Sequence, residues 1–395
     1  MIKQLEINNF QSCRNVHLRG LGSINVLYGS NNSGKSSILK AMNMPVQSFV
    51  QRKRFQWGIK SDYSELLQSY SETVFSKDVS RDISIFYTIE PTYFEDALEN
   101  LSHEPDYGQH IFNRIRIGVE FTSNDRMNEF LEDKNKNTIY QRKHPKTEPT
   151  GFLGKDILWG GEHGTINWDF YDENGIFRDL RSNVFRFFKG MYFFSVDRKP
   201  QEWRAPPRKW DRVGIHGENV VSLLNYLRNR EEDTYEKMCT AISAISPDLE
   251  YTKGPMDEEG QVSITHKSKN YPIEVNTLMS GAGINQTIPI IVQLIYAKEH
   301  DTILIEEPEL SLYPEAQEVL TRLMVEEALN GKQVFLSTHS DTINMRLWRS
   351  VKDEGLSDRF VKCYLCRKEK GETRVKSTTL EESIDVLFSP SDYKP

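Results

Sequence analysis

Apolar and polar positions alternate over Lys3-Gln-Leu-Glu-Ile-Asn-Asn-Phe10, Val16-His-Leu and Ile24-Asn-Val-Leu-Tyr28, which predicts strands across residues 1–30. A helical spacing follows from Lys35 to Met44, and 46–75 also reads as helical, whereas 83–90 and 113–122 read as strands. The stretch 123–181 is polar and broken by Gly and Pro, and its Lys134–Lys146 run predicts an exposed loop. Gly190-Met-Tyr-Phe-Phe-Ser-Val196 is a strand of the fully buried kind, ending in Asp197-Arg198-Lys199-Pro200. Residues 217–245 form a helical pair and 261–275 a hairpin. From there the pattern is regular: helix 284–298, strand 302–306, helix 314–329, strand 332–337, helix 341–351, strand 360–367 and a return strand 372–378. Strands alternating with helices imply βαβ units, hence an α/β fold with a mainly parallel sheet.

Composition narrows the class. The 395 residues are 37% hydrophobic and include 20 Phe, 17 Tyr and 6 Trp, enough apolar material to exclude wholesale disorder. The length exceeds the ~250–300 residues at which one core stops growing, so a core domain with an inserted lobe is expected. No apolar run reaches the ~18 residues of a membrane span, and the start carries no apolar leader. Four cysteines suit a reducing cytoplasm better than a disulfide scaffold. Cys363 and Cys366 are spaced like half a zinc site, but no second pair supplies the remaining ligands. The net charge of −7 does not mark a globally basic nucleic-acid binder.

The strongest chemical signal is Gly29-Ser30-Asn31-Asn32-Ser33-Gly34-Lys35-Ser36, between a strand and a helix. Its glycines let consecutive N–H groups face a phosphate, the helix start adds positive potential, Lys35 brings a mobile charge and Ser36 a hydroxyl for Mg²⁺. Downstream, Thr302-Ile-Leu-Ile-Glu306-Glu307-Pro308-Glu309 is an apolar strand ending in acids. Adjacent strand residues face opposite ways, so Glu306 can support the metal shell while Glu307 polarises a water. One strand later, Val334-Phe-Leu-Ser-Thr338-His339 brings an imidazole to the same sheet edge, suited to a γ-phosphate. Leu278-Met-Ser280-Gly281-Ala-Gly283 precedes a helix and makes a further anion-receptive turn, or an ordinary loop with Ser280 as N-cap.

Together these segments resemble the ATP-binding head of ABC-type ATPases related to SMC, RecF and OLD proteins. Ile7-Asn-Asn-Phe10-Gln-Ser-Cys-Arg14-Asn is similar to that group's first strand and turn. Gly29–Ser36 is similar to its P-loop, Leu278–Gly283 to its signature loop, Ile303–Pro308 to its Walker B and catalytic glutamate, Leu310–Pro314 to its D-loop and His339 to its switch histidine. The likeness covers residues 1–45 and 261–345 well and the middle loosely. Tyr192–Arg198, Val213–Asn219 and Gly281–Pro289 are similar to segments of compact bacterial OLD-like AAA ATPases, many of which serve anti-phage defence beside a separate effector protein.

The resemblance implies a P-loop head formed by residues 1–45 and 261–395, with 46–260 as an inserted lobe. It implies ATP and Mg²⁺ as ligands. Gly29 to Ser36 with Ser37 would hold the nucleotide in one protomer, and Ser280, Gly281 and Gly283 would contact it from the other. Ser36 and Glu306 would serve the metal; Glu307, His339 and Lys35 would serve catalysis. Two heads would sandwich ATP in a homodimer or higher oligomer. Glu306 stands where the group usually has aspartate, and no clear Gln marks a Q-loop, for which Asp197 and Arg198 are the candidates. No Asp-x-Asp pair follows His339, which argues against the TOPRIM nuclease of OLD proteins. The 241 residues between Ser36 and Leu278 carry no sustained heptads, so they read as a compact lobe rather than an arm.

Two basic clusters keep DNA among the candidate ligands. One holds Arg198, Lys199, Arg204, Arg208, Lys209 and Arg212 interleaved with Trp203 and Trp210; the other holds ten Lys/Arg over 346–376. The alternative is a solvated face with the Trp packed inward. A sensor or scaffold ATPase in antiviral defence, a RecF-like DNA repair ATPase and a transport-coupling ATPase are thus the functional readings. The last lacks the Leu-Ser-Gly-Gly-Gln signature it needs.

Overall fold

A computed structural model describes residues 1–51, 57, 67, 69–90, 115–123, 127–132, 138–142, 176–200, 202 and 204–388. The chain divides into two units. The first comprises Met1–Gly22, Gly29–Met191 and Tyr364–Ser377; the second comprises Ser23–Tyr28, Tyr192–Cys363 and Thr378–Pro395.

In the first unit, strands β1 (Ile2–Phe10), β2 (Cys13–Arg19), β4 (Ile83–Ile89), β5 (Ile115–Phe121), β6 (Met127–Glu132) and β7 (Thr138–Arg142) form an antiparallel sheet in the order β2-β1-β4-β5-β6-β7. Ile2, Leu5, Ile7 and Phe10 of β1 are all buried. A register shift between Ile2 and Gln4 reconciles the three-residue step from Ile2 to Leu5 with one inward face, and Asn9, at φ +58°, lies in the like step from Ile7 to Phe10. Part of the Lys134–Lys146 run expected as a loop is therefore strand: β7 pairs with β6 from Glu129↔Arg142 to Glu132↔Thr138, and residues 134–137 and 143–146 lie outside the described residues. Helix α1 (Lys35–Asn43) and helix α2 (Val46–Gln51) follow the P-loop. The helix expected over 46–75 is thus interrupted, its described parts being α2, the single turn α3 (Tyr70–Thr73) and non-helical residues such as Val74. Phe49 stacks on Phe188 of α4 (Ile176–Lys189) at 4.3 Å between ring centres, and Tyr87 of β4 meets the edges of Phe187 and Phe188. The Tyr87 hydroxyl donates to the Met42 carbonyl at 2.6 Å, tying α1 to the sheet.

The second unit is built on parallel strands β3 (Ile24–Tyr28), β12 (Thr302–Glu306) and β13 (Gln333–Thr338), every residue of which is buried. Burial of every position, on both sides of the strand, belongs to a sheet covered on both faces. Within this unit β13 lies between β3 and β12, and β12 pairs with β8 (Met191–Phe194); strands β14 (Val361–Glu369) and β15 (Glu372–Thr378), of which Tyr364–Ser377 belongs to the first unit, neighbour each other. Helices α5 (Val220–Arg230), α6 (Glu232–Ile245), α7 (Ala282–Tyr296), α8 (Pro314–Leu329), α9 (Asp341–Lys352) and α10 (Leu380–Phe388) and a small antiparallel sheet of β9 (Leu249–Met256), β10 (Val262–Ser268) and β11 (Tyr271–Asn276) complete it. Lys332 ties these layers: its ammonium pairs with buried Glu327 of α8 and donates to the Leu294 carbonyl of α7 at 2.6 Å. Among the described residues no helix is long and apolar enough to cross a membrane.

Candidate nucleotide site

Register fixes which strand ends lie level. Tyr28 pairs with Thr338, and Ser337 pairs with Glu306, so β3, β13 and β12 finish side by side at their carboxyl ends. Ligands of parallel sheets gather at that edge. Tyr28 runs directly into Gly29, Thr338 into His339 and Glu306 into Glu307.

The Gly29–Ser36 loop is described within the first unit. Gly29 has φ +139°, and a Cβ there would lie 2.2 Å from the Cys366 carbonyl oxygen. Gly34 has φ +97° and forms the N-cap of α1; a Cβ there would lie 1.9 Å from Thr373 Oγ1. Both glycines are therefore required by backbone conformation and by the close approach of β14 and β15. Thr373 is fixed in turn by Ser12, hydroxyl to hydroxyl at 2.7 Å and through its N–H to the Ser12 carbonyl at 2.8 Å. Asn32 also has positive φ, and its carboxamide oxygen accepts from Lys368 at 3.3 Å. Lys35 is buried, its ammonium donating to the Gly29 and Ser30 carbonyls at 3.0 and 2.9 Å. Ser37 donates to the Gln11 side chain at 2.7 Å, so the first β-turn braces the loop. The Ser33 hydroxyl is buried without a hydrogen-bond partner.

In the second unit the two adjacent glutamates diverge as the strand pattern requires. Glu306 is 2% exposed, whereas the Glu307 side chain is 35% exposed and lies 4.0 Å from His339 Nε2. Glu307 has φ +41°, a left-handed conformation that side chains adopt rarely and at a cost of about 1–3 kcal/mol. Its N–H donates to the Ser337 carbonyl at 2.9 Å. Glu309, absent from the sequence-based site, accepts the His339 N–H at 2.7 Å and thereby fixes the backbone that carries the imidazole. Burial pushes the Glu309 carboxyl up, only partly offset by that N–H.

Arg198 is the larger omission. Read from the sequence as a Q-loop candidate and a member of a basic cluster, it is 1% exposed. Its guanidinium donates to four backbone carbonyls: Ser195 at 2.8 Å, Gln286 at 3.0 Å, Glu306 at 2.6 Å and Glu307 at 2.7 Å. Burial lowers its pKa to about 10, against the opposing pull of Glu309, Glu306 and Glu307, so it remains charged at neutral pH. The Asp197 carbonyl takes a hydrogen bond from His216 Nδ1 at 2.7 Å. No periodicity shows that two distant segments will converge on one guanidinium; a charged residue closing a buried strand is the available clue.

The Ser280–Gly283 turn is half-exposed. Gly281 rather than Ser280 is the N-cap of α7, and Ser280 Oγ lies 3.3 Å from His266 Nε2. A Cβ on Gly283 would meet the Ser311 carbonyl oxygen at 2.4 Å, so this glycine is demanded by the close pass of Leu310–Pro314. Gln317 of α8 donates to the Leu312 carbonyl and accepts from Ser340, joining that segment to the residue after His339.

Part of each basic cluster is spent on internal contacts. Arg198 and Arg212 are buried, Arg208 lies 4.1 Å above the Trp210 ring, and Trp210 donates to Ser222. Trp203 lies outside the described residues. In the second cluster Arg346, Arg349, Lys352 and Arg374 pair with Glu354, Glu318, Glu381 and Glu372. Among the described residues no group of three or more His, Cys, Asp or Glu could hold a metal, and Cys363 and Cys366 are free thiols buried in β14.

Comparison with known proteins agrees with this arrangement. The fold is that of an SMC head. The chain is similar to the crystal structure of an SmcHead bound to the C-winged helix domain of ScpA, with TM-score 0.55, 13% identity and coverage of 97% of this chain and 99% of that chain. It is also similar to an Smc head domain with an extended coiled coil bound to the C-terminal domain of ScpA derived from Pyrococcus furiosus, with TM-score 0.54, 12% identity and 98% coverage of each. A 42-residue stretch is 48% identical to uncharacterized protein MJECL10 of Methanocaldococcus jannaschii, an alignment spanning 11% of this chain and 19% of that protein. The profile that takes in β3, Glu306, Glu307 and His339, matching residues 24–346, is described as "AAA domain, putative AbiEii toxin, Type IV TA system", and to that family of AAA proteins this chain belongs.

Proposed function

We propose that this chain binds ATP with Mg²⁺, hydrolyses it, and uses the nucleotide to govern a homodimer or higher oligomer that serves a separate effector protein in antiviral defence. The observation that carries this reading is the register of β3, β13 and β12, which makes the P-loop, Glu306–Glu307 and His339 continuations of three adjacent strand ends. The buried, unpartnered Ser33 hydroxyl and the two glycines that admit no Cβ suit a loop that wraps phosphate. Ser36 and Glu306 offer the oxygen donors that Mg²⁺ prefers, and the metal would supply charge neutralisation at the β- and γ-phosphates.

The residues divide the work. Backbone N–H groups of 29–36 and the α1 N-terminus would hold the phosphates, with Ser30, Asn31, Asn32 and Ser37 shaping the loop. The Lys35 ammonium would take the γ-phosphate charge in place of its two carbonyl contacts. Glu307, half-exposed beside His339, would orient the attacking water while the imidazole steadies the γ-phosphate oxygen. Ser280, Gly281 and Gly283 of one protomer would close over the nucleotide of its partner. The family description, with its AbiEii toxin and Type IV TA system, supports placing this ATPase in defence. The burial of Arg198 and Arg212, which removes two cations from the first basic cluster, favours this over the RecF-like reading.

Two variants test the assignment. Lys35→Ala is expected to lose ATP binding in calorimetry. Glu307→Gln is expected to bind ATP yet release phosphate ~10²–10⁴-fold more slowly, the range attributed to a positioned base. Light scattering should then show a larger, ATP-dependent species for Glu307→Gln. Wild-type turnover by Glu307→Gln, or a wild-type protein that takes up no ATP with magnesium, would overturn the proposal.

A further inference from the structure

Three segments pack around the stretch that carries Arg198. Ser195–Lys199 leaves β8 carrying Arg198. Val213–Asn219 lies along it: Ser195 N–H donates to Ile215 and Lys199 N–H to His216, at 3.2 and 2.7 Å. Helix α7 supplies the third segment, bonded through the Gln286 carbonyl to Arg198 Nε and through the Gln293 side-chain oxygen to Val213 N–H. Pro289 sits inside α7. A proline has no N–H and removes the helical bond to the carbonyl four residues upstream, at Asn285; the next carbonyl, that of Gln286, accepts from Arg198. Gly217 packs so closely on Pro289 that a Cβ would come within 2.8 Å of its ring.

What Arg198 holds is the backbone on which Glu307 stands. A glutamate at φ +41° persists only where its surroundings over-determine it. Here the carbonyls on both sides of the Glu307 Cα accept from one guanidinium, and its N–H is bound by Ser337. Arginine's rigid fork can serve such divergent acceptors, whereas a lysine ammonium is a single point. We propose that Arg198 is the positioning residue for the water-orienting carboxylate of Glu307.

This rests on the ATPase reading above, and the test separates the two. Arg198→Lys and Arg198→Met are assayed for steady-state ATP turnover below their melting temperatures. The expected result is a kcat lowered on the order of 10²-fold in Arg198→Met, the scale of an ångström-sized misplacement. Arg198→Lys should recover part of that loss, and KM for ATP should stay within about threefold of wild type, since binding and chemistry separate in such a variant. In the Glu307→Gln background Arg198→Met should lower kcat no further, because both act through one carboxylate. A structural role alone would instead depress melting temperature and shift KM, and its effect would multiply with that of Glu307→Gln; either pattern overturns the proposal. If Arg198→Met does not fold, Arg198→Lys decides: wild-type kcat in that variant also overturns it. Absence of turnover in the wild-type protein would defeat the ATPase reading and this inference with it, whereas wild-type turnover with unaltered Arg198 variants defeats only the latter.

Discussion

Gly34→Ala should report directly on how the loop is enclosed. At φ +97° an L-residue is strained by about 1–2 kcal/mol relative to glycine. The new methyl would also lie 1.9 Å from Thr373 Oγ1 and 2.9 Å from its Cβ and Cγ2. Thr373 is 2% exposed and has no free space to turn into, so its hydroxyl must give up the 2.7 Å bond to Ser12, worth about 1 kcal/mol. The expected total is about 2–3 kcal/mol of lost stability in urea unfolding followed by circular dichroism. Thr373→Ala separates the parts, because it removes Oγ1 and Cγ2 and leaves only the Cβ contact, which a few tenths of an ångström relieves. Alone it should cost about 1 kcal/mol for the lost bond. Combined with Gly34→Ala it should add almost nothing, giving a coupling of about 1 kcal/mol between the two sites. Strictly additive effects would show that the two side chains do not compete for one space. A Gly34→Ala protein as stable as wild type would refute both the strain and the collision.

Other expectations follow from single groups. Burial raises the Asp301 carboxyl to about 6, against the Lys298 N–H and Tyr192 hydroxyl that favour its charge. The folded form therefore holds this proton more tightly than the unfolded chain, so its contribution is fully present below about pH 4 and is lost as pH rises to 6. Asp301→Asn should flatten that slope and raise stability near pH 7 by about 2–3 kcal/mol in paired denaturation curves, and an unchanged slope would disprove it. Gly217→Ala combines φ +89° with contact against Pro289, whereas Gly260→Ala has φ +76° and nothing within 4 Å. The first should lose at least about 1 kcal/mol more than the second in urea unfolding, and equal losses would discount the packing contribution.

Much of this architecture is legible in the sequence where one local signal suffices. The runs Ile24–Tyr28, Thr302–Glu306 and Gln333–Thr338 have apolar centres and are buried from end to end, as in a sheet covered on both faces, and the loop, acid and imidazole segments follow at their ends. β7 is not legible, because Thr138–Arg142 lies among Lys, Asn and His residues and becomes a strand only by pairing with β6. Ile2 and Leu5 break simple alternation because a bulge resets the register between them. Arg198 and Glu309 are hidden for a different reason. An arginine that satisfies carbonyls 88 and 108 positions away looks, in sequence, like any surface cation. Glu309 looks like a third member of an acidic turn until its bond to His339 is seen.

The enclosure of Gly29–Ser36 by Cys366 and Thr373 also sets an order of events during synthesis. Ser12 and Thr373 touch across 361 positions, so the turn after β1 waits, on the ribosome, for Thr373 to emerge. Until residues 364–373 have cleared the exit tunnel, the two glycines have no wall to lie against. A nascent chain that stops short of these strands leaves the loop open on the side that Cys366 and Thr373 will close.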